Sequence, residues 1–165
     1  MTDSPSSYHH TQIGYGLFVM LTGGVVLTAG IAATSLRAMP PGPSRTVALS
    51  IAGAVALMVL ASATIFSSLT IDVRGGKLYW HFTGNLIRGS VDLSELTDVQ
   101  PMKTPPGYGW GIRETPEGRL YNVSGLGAVR ITTRDGRRCS FGTDEPDRLA
   151  AAIAPLVNCR IPLPR

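Results

Sequence analysis

TVALSIAGAVALMVLASATIFSSLTI, residues 46–71, is the stretch on which the reading of the chain turns. It is uncharged, and its apolar run exceeds the roughly 20 helical residues that a bilayer core requires. A strand-like pattern follows with no linker. The expectation is a transmembrane helix over 46–69 that passes straight into a β domain. Working outward, Ile13 to Leu36 (IGYGLFVMLTGGVVLTAGIAATSL) is also free of charge. As a helix it extends about 36 Å, enough to cross with some tilt. A cleaved signal peptide fits it poorly, because no Lys or Arg precedes it and its apolar run is too long for an h-region. The linker Arg37–Arg45 (RAMPPGPSR) leaves room only for a tight turn, so the spans 13–36 and 46–69 form an antiparallel hairpin. Small residues four apart predict its seam: Gly24, Thr28 and Ala32 against Ala48, Ala52 and Ala56. Neither span holds an ionisable group, which argues against an ion pathway or proton relay.

Charge is segregated. Arg37 and Arg45 are the only cations before residue 70, and Asp3 is the only acid before Asp72. The net charge of +4 is mild and mixed with Asp and Glu, which argues against a nucleic-acid surface. It suits a position near anionic lipid headgroups, where each Lys or Arg contributes about 1 kcal/mol; a plain solvated basic face explains it equally well. Cys139 and Cys159 make neither a disulfide framework nor a metal cluster. Cys139 is expected as a buried thiol and Cys159 as a free one, a bridge between them being the alternative in an oxidising compartment. Residues 1–12 (MTDSPSSYHHTQ) read as a flexible polar tail with His9 and His10 solvated.

From Leu69 the hydrophobic period becomes two. Ile71 and Val73, then Leu78, Trp80 and Phe82, alternate with polar neighbours around the turn Gly75-Gly76. His81 falls on the outward face. Gly84-Asn85 predicts a second turn, leading to strands near Leu86–Leu93 and Leu96–Met102. A second block pairs Tyr108–Arg113 with Arg119–Val123 around Thr115-Pro116-Glu117-Gly118, and Ala128–Thr133 with Arg137–Phe141 around Asp135-Gly136. Strands at this spacing predict an antiparallel sandwich or barrel over 70–158. Pro146, flanked by Asp144, Glu145 and Asp147, opens a helix over 145–157. Leu149, Ile153 and Leu156 give it an apolar stripe suited to plugging an open end of the barrel. Residues 159–165 are a Pro-containing tail.

The runs GYGWGIR (107–113), RLYNVSGLGAVRITTRDGRR (119–138) and FGTDEPDRLAAAI (141–153) resemble the membrane-tethered bacterial pleckstrin-homology (PH) domain family. The resemblance implies a PH-like barrel or sandwich closed by a C-terminal helix, held at the cytoplasmic side of an inner or plasma membrane with both termini inside. It implies no ligand, since fold alone supplies none. The cation cluster used by phosphoinositide-binding PH domains is absent from the first hairpin, where only Arg74 and Lys77 offer themselves to headgroups.

Within GYGWGIR, Tyr108, Trp110 and Ile112 are expected on one face of a strand and Gly107, Gly109 and Gly111 on the other. Either Trp110 enters the core and the glycines receive the C-terminal helix, or the hairpin forms a recognition groove with Arg113, Arg119, Tyr121 and Asn122. Asn122-Val123-Ser124 is a glycosylation sequon, meaningful only in a eukaryotic secretory setting. No nucleophile–histidine set, metal-ligand spacing or P-loop occurs, so neither enzyme chemistry, nor a cofactor, nor a metal is expected. The sequence predicts an integral membrane protein presenting an interaction domain to a protein or peptide. The alternatives are an anionic-lipid sensor and an assembly subunit, self-associating or partnered through the hairpin.

Overall fold

The computed structural model describes residues 8–157. Two helices of 23 residues each, α1 (Tyr15–Arg37) and α2 (Pro43–Ile65), pack side by side as a hairpin. Both are long and apolar enough to cross a membrane, and their most apolar windows are 0% and 6% buried. Neither is therefore a core helix of the domain beside it. Helix α2 starts ahead of the expected Thr46 because Pro43 is pre-organised for a first turn. It stops at Ile65, short of the expected residue 69, because the chain from Ser68 onward belongs to a strand. Ala48, Ala52 and Ala56 are half-buried on the α2 side of the seam, as their spacing predicts. On α1 Ala32 is half-buried as predicted, together with Val25 and the buried Leu36, whereas Thr28 is exposed and Gly24 faces open space.

The β domain has two sheets. In the first, β1 (Tyr8–Ile13), β2 (Ser68–Arg74), β3 (Lys77–Phe82) and β4 (Arg88–Asp92) lie side by side in that order, all antiparallel. The second comprises β5 (Leu96–Lys103), β6 (Gly111–Thr115), β7 (Gly118–Asn122), β8 (Gly127–Thr133) and β9 (Arg138–Gly142) in the order β5-β8-β9-β7-β6. Its β7–β9 pairing is parallel and the rest antiparallel. Neither sheet closes on itself, so the barrel alternative of the sequence reading gives way to a sandwich. Inward residues at period two make the core: Leu69, Ile71 and Val73 on β2, Leu78, Trp80 and Phe82 on β3, and Val129, Ile131 and Phe141 across from them. Helix α3 (Pro146–Ile153) packs on β5 and β8 and buries Leu149 and Ile153 completely. It is shorter than the expected 145–157, ending in a single 3₁₀ turn that contains Pro155.

The expected tail is in part a strand. Thr11 lies opposite Thr70, so β1, which precedes the helix hairpin, pairs with β2, which follows it. His9 and His10 are correspondingly not a free solvated pair. His9 Nδ1 meets Asp72 Oδ1, and His10 Nε2 meets Asp144 Oδ1, with Glu145 Oε2 3.6 Å from His10 Nδ1. The register gives the sandwich two poles. The helix-side pole carries the junctions at Gly14 and Phe66-Ser67 with the connections 83–87, 104–110 and 123–126. The far pole carries the turns at Gly75-Gly76, Pro116-Glu117 and Asp135-Gly136. Gly14 seals the first junction: its N–H donates to Ser67 O at 2.7 Å, and a Cβ there would stand 2.8 Å from Val123 O.

Candidate functional site

The residues singled out from sequence fall in two separate recesses. The strand predicted from Tyr108 begins only at Gly111, because Pro105 and Pro106 start a 3₁₀ turn that includes Tyr108 and Gly109 follows at φ +68°. The Tyr108–Trp110–Ile112 stripe therefore does not form. Trp110 does not enter the core, and of the expected groove residues only Arg113 joins it; its indole lies against α1, where a Cβ on Gly16 would sit 3.4 Å from Trp110 Cη2. Trp110 and Arg113, with Leu17, Met20, Pro105, Pro106, Gly109, Gly125 and Leu126, enclose a groove of about 440 Å³ at the helix-side pole. Arg113 Nε donates to Trp110 O at 3.2 Å, and among the described residues its guanidinium meets no carboxylate.

The second recess, about 380 Å³, opens between the outer edge of β4 and the strands β7 and β9. Trp80, Tyr121 and Phe141 make its apolar wall; the rings of Tyr121 and Phe141 stack at 5.3 Å, and Trp80 lies 4.2 Å from Tyr121. Gly89 is there because a Cβ would strike Trp80 Cζ2 at 2.5 Å. That absence of a side chain opens the β4 edge onto the indole. Arg119, Arg137 and Arg138 line the cleft, with Glu114 as the one acid. Arg119 is paired to Glu114 and Arg137 to Asp135, whereas Arg138 has no carboxylate partner among the described residues. Burial pushes up the hydroxyl pKa of Tyr121 and the thiol pKa of Cys139, so both stay protonated at neutral pH. Sequence reasoning found Arg119 and Tyr121 but missed Trp80, Arg138 and the β4 edge, since strand order is not a local property.

Asn122 belongs to neither recess. It is 1% exposed; its Nδ2 donates to Gly125 O, and its Oδ1 accepts from Ser124 N, each at 3.2 Å. Its amide is consumed in holding the 123–126 connection, which removes it from the candidate binding set and buries the sequon. Arg74 and Lys77, proposed for headgroups, lie at the end of β2 opposite its junction with α2. That is about 20 Å along the strand, and the Arg74 guanidinium sits over the Tyr79 ring at 5.1 Å. His81 is half-buried on β3. Cys139 is half-buried in the cleft wall; Cys159, and with it the bridge alternative, lies outside the described residues. No group of three or more His, Cys, Asp or Glu among the described residues is placed to hold a metal. No family model, curated protein or solved structure matches the chain.

Proposed function

We propose that this chain is an integral membrane protein whose β-sandwich binds an extended segment of a protein partner along the free edge of β4. The observation that carries this reading is the cleft itself. It brings together in one recess a strand edge and an Arg138 that have no partner among the described residues, and an aromatic wall. An edge strand offers a row of backbone donors and acceptors to an incoming chain. The wall gives one apolar side chain of that segment a place to bury, and the excess of arginines over Glu114 favours an acidic residue beside it. The two uncovered apolar helices support the membrane reading. Setting aside the β6–β7 hairpin, seven antiparallel strands in blocks of four and three followed by α3 remain. That order supports the PH-like reading, with the helix hairpin inserted between the first two strands. The cytoplasmic placement of the domain rests on that reading and is part of the proposal.

A photo-crosslinker at Ser90 in native membranes tests the site. The expected result is a crosslink to one protein, mapped to a short extended segment, together with loss of that crosslink in Arg138→Glu. A synthetic peptide of the mapped segment should then slow alkylation of Cys139 in the Cys159→Ser full-length chain. A crosslink that survives Arg138→Glu, or a peptide that leaves Cys139 labelling unchanged, would reject the cleft as the binding site.

A further inference from the structure

The groove at the helix-side pole has a different chemistry and a different address. Its floor is contributed by Leu17 and Met20, in the first two turns of α1, and its roof by the 105–110 connection and Leu126. On the reading that α1 crosses the bilayer, these turns stand where headgroups give way to acyl chains, the level at which Trp and Tyr collect. The Trp110 ring meets α1 at Gly16, at that level, and Tyr15 next to Gly16 in the chain is 69% exposed. Leu126 at the groove is 44% exposed, and Leu86 in another connection at this pole is 75% exposed.

The acids at this pole, Asp144 and Glu145 after β9, are paired with His10 and Arg148. The connections 83–87, 104–110 and 123–126 contain no Asp or Glu, while Arg88, Lys103 and Arg113 flank them, all exposed. Arg113 is the cation at the groove's own lip. Its Nε is held by the Trp110 carbonyl, which fixes the fork, and a Cβ on Gly109 would lie 3.9 Å from Nη2. An apolar slot against a membrane helix, with a fixed guanidinium at its mouth that meets no carboxylate among the described residues, matches a molecule with a hydrocarbon tail and an anionic phosphate head.

We infer that the groove between α1 and the Pro105–Trp110 connection is a binding site for one anionic phospholipid, its phosphate on Arg113 and its acyl chain against Leu17 and Met20. This inference rests on the membrane reading above and is independent of the β4 cleft. The site holds the sandwich at a fixed height and rotation on the bilayer, which orients the opposite cleft for its partner.

The test uses the full-length chain in phosphatidylcholine nanodiscs doped with phosphatidylglycerol brominated high on its acyl chains. Quenching of Trp110 is taken as the difference from Trp110→Phe, which leaves Trp80 as background. Brominated phosphatidylglycerol is expected to quench Trp110 as though enriched roughly fivefold over brominated phosphatidylcholine at equal mole fraction, the factor one cation at the headgroup layer supplies. Arg113→Gln should abolish the enrichment and Arg113→Lys should retain part of it, both with unchanged far-UV circular dichroism. Excess inorganic phosphate should leave the enrichment in place; competition by it would mean an aqueous anion site and overturn the lipid assignment. Equal quenching by the two lipids, or a preference that survives Arg113→Gln, overturns this proposal alone. Failure of the chain to enter the discs overturns the membrane reading and the lipid site together.

Discussion

In the helix hairpin, a Cβ added at Gly23, Gly24, Gly30 or Gly53 meets no atom within 4 Å; in the sandwich, one at Gly89, Gly118, Gly127 or Gly142 would lie 2.1 to 2.6 Å from a neighbour. These four sandwich glycines are demanded by close packing, and these four hairpin glycines are not. In the hairpin most of the helix surface faces outward, and the large apolar residues there are exposed, Leu57 at 70% and Val26 at 72%. In the sandwich Leu69, Val73, Leu78, Phe82 and Val129 are fully buried. One half keeps its apolar surface outside and the other keeps it inside. That is how a chain is built when each half meets a different solvent. Substitutions should therefore be felt according to the half in which they fall.

The largest contrast is expected from truncating big apolar side chains. Phe141→Ala should cost the β domain about 3–5 kcal/mol, since the ring is 1% exposed and stacked on Tyr121. Leu57→Ala should leave the melting of that domain unchanged. Near-UV circular dichroism against temperature in detergent measures both, and a comparable loss from Leu57→Ala would break the two-solvent comparison. The glycines come next. Gly118 has φ +110° and an added Cβ would stand 2.2 Å from Arg138 O, so Gly118→Ala should cost about 2–4 kcal/mol by strain and overpacking. Gly53→Ala should be neutral to the same measurement.

The smallest effect is electrostatic. Thr133 Oγ1 and then Arg137 donate to the Asp135 carboxylate in the β8–β9 turn and hold its pKa down at about 2. A depressed pKa means stabilisation that is complete above the ordinary carboxyl value near 4 and is lost as pH falls through the folded value. Asp135→Asn should accordingly melt slightly below the parent at pH 7. That gap should narrow between about pH 4 and pH 2, as the parent loses its advantage. A gap independent of pH would mean that the turn is held by its backbone geometry alone.

What could be read in the sequence was what is decided locally. Gly75-Gly76, Pro116-Glu117 and Asp135-Gly136 fix their hairpins through φ values and spacing that any short window contains, and Pro146 does the same for α3. β1 was not legible, because its inward residues Tyr8, His10 and Gln12 look nothing like a hydrophobic alternation and its partner strand lies beyond both helices. The Trp110 stripe misled for a local reason: Gly109 at positive φ breaks the alternation before Trp110. On α1 the small-residue spacing locates Ala32 but not Val25 and Leu36, because large side chains are buried there alongside small ones. Of the candidate site, Arg113, Arg119 and Tyr121 were visible as side chains. Which of them share a recess depends on strand order, which no spacing along the chain encodes.

The pairing of β1 with β2 also orders events during biosynthesis. Thr11 must wait for Thr70, 59 residues later, which at roughly 5–20 residues per second is a delay of about 3–12 s. Through that interval the first strand is an orphan at the ribosome, and no sheet can close over it until both helices have been delivered. Completion of the first sheet thus requires that the chain be made through both helices and into β2.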